Sequence, residues 1–261
     1  MGIVTVQLNE VFTDKIRYLA SVFVDAHRVV ATPPNVRAFL DALDDADLLP
    51  TTVQEIGLSG NVARMAFNSA DGRSQLVLAG NRFDYSFQAA TPEGSDLGSF
   101  ATFCHEAETK LITAITHFKL RGTRLAAVQE GYLLQTADDG LDPVMARLMN
   151  RPSTYRAGVL RDWTWRANVE TKRRLGSLTE ATNTITTVGL VPGYTVFGEQ
   201  GAHVERFASD RIRLDFDINT VPENTVPRFN KSHVHTFFLN APKWHDKLVD
   251  DMLGYILDRG A

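Results

Sequence analysis

Residues 51–88 read TTVQEIGLSGNVARMAFNSADGRSQLVLAGNRFDYSFQ, and this stretch decides the fold class. Runs of apolar and aromatic residues alternate in it with the turn-forming sequences Ser59-Gly60-Asn61, Ala70-Asp71-Gly72 and Gly80-Asn81. In the last run, aromatic and polar residues alternate with the period of two that a strand with one buried face requires. The stretch predicts an antiparallel meander of strands at Thr52–Leu58, Ala63–Asn68, Gln75–Ala79 and Phe83–Gln88.

Helices are predicted on both sides of this meander. A strand at Arg17–Asp25 leads to a helix that Thr32 caps, with Pro33 in its first turn and apolar residues at helical spacing. After the meander, a second helix runs from about Ser99 to Phe118, with an apolar stripe along one side.

The same order of elements returns after residue 120. The predicted elements are a strand, a short helix, further strands and a last helix containing Pro242, at Thr123–Thr136, Leu141–Asn150, Trp163–Thr171, Thr179–Leu190, Arg211–Asn219 and about Ser232 to Leu257. Runs of strands bounded by helices favour an α+β fold over a parallel βαβ fold. We expect two similar strand–helix–antiparallel strands–helix halves, residues 1–119 and 120–261, packed as one compact unit with the helices on one sheet face.

Composition restricts the class of protein. The 261 residues are 44% hydrophobic and 22% charged, with a net charge of −4, as in an ordinary globular protein. The single cysteine, Cys104, excludes an internal disulfide and fits a reducing compartment. The N-terminus lacks the pattern of a signal peptide, and no apolar run is long enough to cross a bilayer. We expect a cytoplasmic protein with no membrane partner.

The segment Arg147–Arg174 has the most unusual composition. It holds eight cationic and two acidic residues, a net charge of +6 inside a chain of net charge −4. Tyr155, Trp163 and Trp165 are interleaved, a pattern typical of phosphate-backbone contact with base stacking. The segment predicts binding to nucleic acid or another anionic partner through Arg147, Arg151, Arg156, Arg161, Arg166, Lys172, Arg173 and Arg174.

A structural explanation of the same segment is the alternative. On a strand, Trp163 and Trp165 would share one face and belong to the core. Lys172, Arg173 and Arg174 would then lie at a hairpin turn, where charges are merely solvated.

The sequence contains no motif that identifies a catalysed reaction. Asp215 and Asp217 share one face of a predicted strand, as in Mg²⁺-dependent phosphodiesterases, but the polar side of an amphipathic strand explains them too. His233, His235 and His245 lack the further convergent ligands of a zinc site, and a buried, hydrogen-bonded His245 is the simpler interpretation. We predict no catalytic residue, metal or cofactor.

Acidic residues concentrate on the first and last helices. They are Asp41, Asp44, Asp45 and Asp47, and Asp246, Asp250 and Asp251. Solvated helix faces explain them, and charge complementarity between copies, giving a homo-oligomer, is the second interpretation.

Three segments together resemble a known family. RGTRLAAVQE at 121–130, WTWRANVE at 163–170 and RLDFDINT at 213–220 are similar to a sporadically distributed bacterial family of uncharacterised proteins of about this length. Such a patchy distribution implies a mobile or defence-related system. The resemblance implies no catalytic residues.

The expectation for function follows from these observations. The segregated charge and the missing catalytic motif favour a non-enzymatic binding or scaffold subunit of a bacterial multi-protein assembly. A nucleic-acid-binding component acting through residues 147–174 is the alternative, and a metal-dependent phosphodiesterase is the third hypothesis.

Overall fold

The structure is a computed structural model that describes residues 12–44, 47–57, 60–133, 142–149, 162–191, 195–197, 203–205 and 210–256. Its strands, in chain order from β1 to β11, are Asp14–Phe23, Leu48–Gly57, Gly60–Ser69, Ser74–Leu78, Arg82–Gln88, Arg124–Leu133, Thr164–Leu175, Leu178–Val191, Thr195–Phe197, His203–Glu205 and Arg211–Thr220. Its helices, from α1 to α4, are Pro33–Leu43, Phe100–His117, Asp142–Leu148 and Lys231–Ile256.

Nine of the strands form one antiparallel sheet in the order β2-β3-β4-β5-β1-β6-β11-β8-β7. The expected meander is confirmed as β2 to β5, and the α+β class is confirmed with sheet predominating. β9 and β10, which we did not predict, pair with each other. β1 lies between β5 and β6, so the sheet continues across residue 120. The similarity of the two halves, and their boundary, stay predictions.

The predicted cap of α1 is present, and α2 is capped in the same way. The Oγ1 of Thr32 accepts a hydrogen bond from the backbone N–H of Asn35 at 3.4 Å, and the Oγ of Ser99 accepts one from that of Thr102 at 3.0 Å. Both satisfy a donor that the first turn of a helix leaves without a partner. Asp44 ends α1 in the left-handed conformation, with φ of 49°. Local sequence therefore determines where these helices begin.

The helices pack on one face of the sheet. On α1, Phe39 lies 5.2 Å from Phe67 of β3, centroid to centroid. On α2, Phe103 stacks on Tyr85 of β5 at 5.6 Å, and its neighbour Phe100 lies beside Tyr18 of β1. Because side chains alternate along a strand, the residues between these aromatics point to the opposite face, which no described helix covers. We call that surface the open face.

The core consists of two clusters of buried side chains. The larger lies under α1 and α2 and includes Phe39, Phe103 and Phe237. The smaller includes Val144 of α3, Phe216 of β11 and Leu253 of α4. α4 runs through Pro242 as one helix and contributes to both clusters. It thereby joins the core beneath the meander to the core beneath β6, β11 and β8.

The structure corrects one detail of the basic segment. β7 continues through Lys172, Arg173 and Arg174, and the turn lies beyond them at Gly176. Pairing with β8 as far as Leu175↔Leu178 holds these residues in the sheet. A hairpin turn at 172–174 was therefore wrong. Among the described helices, none is long and apolar enough to cross a membrane.

Candidate binding face and cavity

Ionic side chains cross the centre of the open face on β1, β6 and β11. The backbone register places Arg17 opposite Glu130, and Glu130 opposite Asp215. Glu130 forms an ion pair with Nη2 of Arg17 and accepts a hydrogen bond from Nη2 of Arg213 at 3.0 Å. Nε of Arg213 donates to Oδ1 of Asp215 at 2.8 Å. Two arginines and two carboxylates thus neutralise each other across three strands.

A row of amides continues this layer toward the edge of the sheet. Nδ2 of Asn219 donates to Oδ1 of Asp217 at 2.9 Å. Asn183 on β8 donates to Asn219 at 3.3 Å, and Asn168 on β7 donates to Asn183 at 3.2 Å. The hydrogen bonds therefore run from Asn168 through Asn183 and Asn219 to Asp217, which is the last acceptor of the row.

On the meander side, the layer ends at Asp84 of β5. The hydroxyl of Ser21 donates to Oδ1 of this carboxylate at 2.6 Å, and Nε of Arg82 lies 2.7 Å from its Oδ2. The layer therefore extends over six neighbouring strands, from β5 to β7.

Burial raises the pKa of three aspartates in this layer. Partial removal from water disfavours the charged form, and it raises the pKa of Asp84, Asp215 and Asp217 above the ordinary aspartate value. The hydrogen bond from Asn219 and the charges of Arg124 and Arg166 oppose this effect at Asp217. Nearby hydrogen-bond donors and cationic side chains therefore stabilise the charged form of these aspartates.

Arg124 and Arg166 are two of the cations on this face whose charge is not used in a close ion pair with a described residue. Both act on Asp217 through their charge, yet neither forms an ion pair with a residue that the structure describes. Arg124 lies with its Cζ 4.8 Å from the centre of the Phe23 ring, and its Nε is buried without a hydrogen-bond partner. Arg166 is exposed. The two guanidinium groups are available to a bound anion.

The five described cationic residues of the basic segment do not lie on one surface. Arg166, Lys172 and Arg174 alternate along the open face of β7 and are exposed. Arg173 points to the helix side, where its Cζ lies 4.2 Å from the centre of the Trp244 ring. Arg147 is exposed on α3. The remaining three lie outside the described residues: Arg151, Arg156 and Arg161.

The tryptophans of the segment belong to the core. Trp163 is 5% exposed and Trp165 packs against the same cluster. The structural explanation of these two aromatics is confirmed, so they are not platforms for base stacking.

Sequence reasoning placed Arg213 in line with Asp215 and Asp217 but missed Arg17, Arg124 and Glu130 as members of the site. Alternation along β6 puts Arg124 and Glu130 on one face, but the pairing of β1 with β6 was needed to bring Arg17 to Glu130. The two residues are 113 positions apart in the chain.

Asp215 and Asp217 do share the open face, as predicted. Both already have partners, Arg213 for the first and Asn219 for the second. Within the described ranges, no group of three or more His, Cys, Asp or Glu residues is placed to hold a metal ion.

The second notable feature is a cavity of about 550 Å³ on the helix side of the sheet. It lies where the two core clusters meet, under α4 and over β1 and β6. Polar and apolar side chains both line it, and the polar ones include Lys15, Gln129 and His245. Gly131 leaves room for the Phe12 ring, because a Cβ at this position would come within 2.8 Å of that ring.

His245 is buried, as predicted, but only one of its ring nitrogens has a hydrogen-bond partner. Nδ1 lies 3.3 Å from Oδ1 of Asp246, while Nε2 is buried and has no hydrogen-bond partner among the described residues. Phe100 packs against the ring at 4.3 Å between centroids. Burial lowers the pKa of His245, so the imidazole is neutral near pH 7.

The other two histidines of α4 have separate roles. Nδ1 of His233 accepts a hydrogen bond from the backbone N–H of Asn230 at 3.3 Å, next to the start of the helix. His235 is exposed, with its Nδ1 2.6 Å from Oε1 of Glu108. They point in different directions, as expected for residues two apart on a helix.

Comparison with protein-family models and with curated proteins finds no match to this chain. The family resemblance of residues 121–130, 163–170 and 213–220 therefore stays a prediction.

Proposed function

We propose that this protein is a non-catalytic binding subunit that recognises an acidic surface of another protein on its open face. The observation that carries the proposal is that Arg124 and Arg166, whose charges both act on Asp217, have no ion-pair partner among the described residues. Separate carboxylates of a partner would neutralise them. The surrounding layer is already cross-linked by its own hydrogen bonds, so little side-chain entropy would be lost on binding.

An acidic protein surface suits this face better than nucleic acid does. Asp84, Glu130, Asp215 and Asp217 are interspersed among the arginines, and they would repel a continuous phosphate backbone. The tryptophans that would have supplied stacking platforms are in the core. Separate carboxylates can approach the two free guanidinium groups while avoiding the acidic positions, because hydrogen-bonded charge pairs depend strongly on geometry.

The wider setting follows the expectation from sequence. The subunit would act in the cytoplasm as part of a bacterial, defence-related assembly, which the family resemblance and the single cysteine support. A second copy of the chain is one candidate for the acidic partner, because Asp41 on α1 and Asp250 on α4 are exposed on the helix side. Head-to-tail contact of helix side with open face would produce a chain of subunits.

The test is binding of a fluorescent glutamate-rich peptide, followed by anisotropy at two salt concentrations. Because the protein carries a net charge of −4, attraction has to come from a local cationic surface. We expect binding at low salt that weakens as salt rises. The double variant Arg124→Gln/Arg166→Gln should lose about fivefold in affinity, equivalent to roughly 1 kcal/mol.

The matched control is Arg28→Gln/Arg37→Gln, which removes the same charge from exposed positions before and within α1. It should bind as the wild type does. Equal losses in both double variants would reduce the effect to net charge and overturn the site. A DNA duplex that binds more tightly than the peptide would favour the nucleic-acid alternative instead. Sedimentation of the protein alone identifies a second copy as the partner if its mass rises with concentration and the Arg124/Arg166 variant stays a monomer.

A further inference from the structure

We propose that two copies of this protein associate edge to edge through β7, as antiparallel strands related by a two-fold axis at Asn168. The two nine-stranded sheets would then continue into one sheet across the contact. The inference goes beyond the function proposed above, because it concerns the edge of the sheet and not its open face.

β7 has the form of a strand that can accept a further neighbour. It is the last strand of the sheet, and no described strand pairs with its outer side. It is twelve residues long, contains neither proline nor glycine, and pairs with β8 without a bulge. Such an edge presents a regular row of backbone donors and acceptors. The opposite edge differs, because β2 contains Pro50, which has no N–H to donate.

The backbone groups that point outward from β7 belong to its even-numbered residues. The carbonyl oxygen of Trp163 accepts a hydrogen bond from the backbone N–H of Leu190 at 3.1 Å, so Trp163 directs its polar groups toward β8. In an antiparallel ladder this direction alternates, so Arg166, Asn168 and Glu170 direct theirs away from β8. An antiparallel partner strand would pair with these residues.

Charge selects the register of that pairing. In the proposed dimer, Asn168 lies opposite its own copy. Arg166 then lies opposite Glu170 of the second copy, and Arg174 lies opposite Asp162 at the end of the contact. Each pair of opposite charges occurs twice by symmetry. These side chains are exposed, and none of them forms an ion pair with a described residue.

Neighbouring registers lack this match. Because side chains must stay on their own face, the register can shift only by two residues at a time. One such shift would put Arg166 opposite Lys172, and a second would put it opposite Arg174. A shift in the other direction would leave Arg166 and Glu170 opposite uncharged residues, and it would retain one kind of charge pair, Asp162 with Lys172. Opposite charges across two strands are stabilising and like charges destabilising, so the pattern favours one register.

The helix side of the same edge has apolar residues at the centre of the contact. Val169 is 58% exposed, although it lies on the side of β7 that carries Trp163 and Trp165. In the proposed register it lies opposite Ala167 of the second copy. The valines and alanines of both copies would surround the axis and leave water on association. Charged and apolar positions are thus both self-complementary, as a two-fold contact requires.

Analytical ultracentrifugation of the full chain over a range of concentrations tests the association. We expect a monomer–dimer equilibrium whose mass stops at two chains, because a two-fold contact closes on itself. Glu170→Arg places like charges opposite each other at two symmetric positions, and it should weaken the dimer about tenfold or more. Arg166→Glu should do the same. The double variant Arg166→Glu/Glu170→Arg restores opposite charges and should recover the wild-type affinity.

A disulfide trap identifies the register, because the native Cys104 is buried and does not compete. In the proposed dimer the two copies of residue 168 have Cα atoms about 5.5 Å apart, which a disulfide can span. Asn168→Cys should therefore form a covalent dimer when the native protein is mildly oxidised. The matched control is Lys172→Cys, exposed on the same strand. Its two copies would lie about 26 Å apart and should cross-link about tenfold more slowly or less.

A monomer at every concentration up to the millimolar range would overturn the proposal. So would equal cross-linking of the two cysteine variants, or a double charge variant that associates no better than either single variant. A mass that rises beyond two chains would overturn it in favour of head-to-tail assembly.

The open face can be tested apart from this edge, although Arg166 takes part in both contacts. Arg124 lies on β6, which β11 and β8 separate from β7. Arg124→Gln should therefore weaken the binding of acidic peptide and leave the dimer unchanged. Glu170→Arg should dissociate the dimer, so the failure of one proposal is distinguishable from the failure of the other.

Discussion

Replacing Lys15 by methionine should stabilise the protein at neutral pH. In the folded state, burial lowers the pKa of Lys15 from 10.5 to about 8. Each pKa unit corresponds to about 1.4 kcal/mol, so burying the charged amine costs about 3 kcal/mol at pH 7. The Phe12 ring, 3.5 Å from Nζ, attracts the ammonium and offsets roughly 1 kcal/mol. We expect Lys15→Met to raise the free energy of unfolding by about 2 kcal/mol.

The pH dependence of the same difference has a definite sign. Below about pH 8 the lysine is protonated in both the folded and the unfolded chain, and its full destabilising effect is present. Between about 8 and 10.5 the folded protein has released the proton while the unfolded chain still holds it, so stability rises with pH. The advantage of Lys15→Met should therefore shrink across this window and vanish above it.

Neighbouring groups titrate as well, so the measured quantity has to be the difference between wild type and variant. Burial raises the pKa of Tyr18 and of Cys104, which makes the stability of both proteins fall at high pH. The other ionisable groups around the amine are present in both proteins: Asp14, Asp96, His245, Asp246 and Asp250. Subtracting the two urea midpoints, converted to free energies, isolates Lys15.

The assay is urea unfolding at pH 7, 8, 9 and 10, with Lys243→Met as the control. Lys243 is exposed on α4, so its replacement should change the unfolding free energy by no more than about 0.5 kcal/mol at any of these pH values. A variant Lys15→Met that is less stable than wild type at pH 7 would refute the reasoning. A stability difference that does not narrow between pH 8 and 10 would refute it too.

Three further predictions concern buried groups outside the cavity. Arg64 is 3% exposed and donates to the backbone oxygens of residues 26, 27 and 29. Arg64→Met should lower the free energy of unfolding by about 3–5 kcal/mol, measured by urea unfolding. Exposed Arg37→Met is the control, and a loss in Arg64→Met below about 1 kcal/mol, or no larger than in the control, would contradict this. Arg228 donates two hydrogen bonds to the carboxylate of Glu180, from Nε at 2.9 Å and from Nη2 at 3.1 Å. Because lysine cannot make this paired contact, Arg228→Lys should lower the free energy of unfolding by about 1–3 kcal/mol. An unchanged midpoint of thermal unfolding would argue against this. Burial also raises the pKa of Cys104, so the thiol should react with a disulfide reagent only after unfolding, and rapid reaction of the native protein would disprove its inaccessibility.

The parts of the fold that were predictable depend on short stretches of chain. The meander of β2 to β5 was predicted from three turns and an alternating pattern, each contained within a few residues. The cap Thr32 was predicted because a cap acts within one helical turn. These signals are local, so one sequence contains them in full.

Arg173 marks the limit of such reasoning. Its position continues the alternation of Trp163 and Trp165, which places it on the helix side of β7. We nevertheless assigned it to a hairpin turn, because Leu175 and Gly176 follow the three cations directly. On the buried side of the sheet, the guanidinium group of Arg173 packs on the ring of Trp244 of α4 and donates a hydrogen bond to the hydroxyl of Thr184. The sequence around residue 173 contains no sign of either partner.

Both candidate sites depend on one long-range pairing, that of β1 with β6. Arg17 pairs with Glu130 on the open face, and the next pair in the register, Tyr18 with Gln129, lines the cavity. A single layer of backbone therefore separates the ionic layer from the cavity. A substitution within these four positions would disturb both sites and could not be assigned to either. Arg124 and Arg166 on one side, and Lys15 and His245 on the other, avoid this ambiguity, because none of them belongs to the shared pairs.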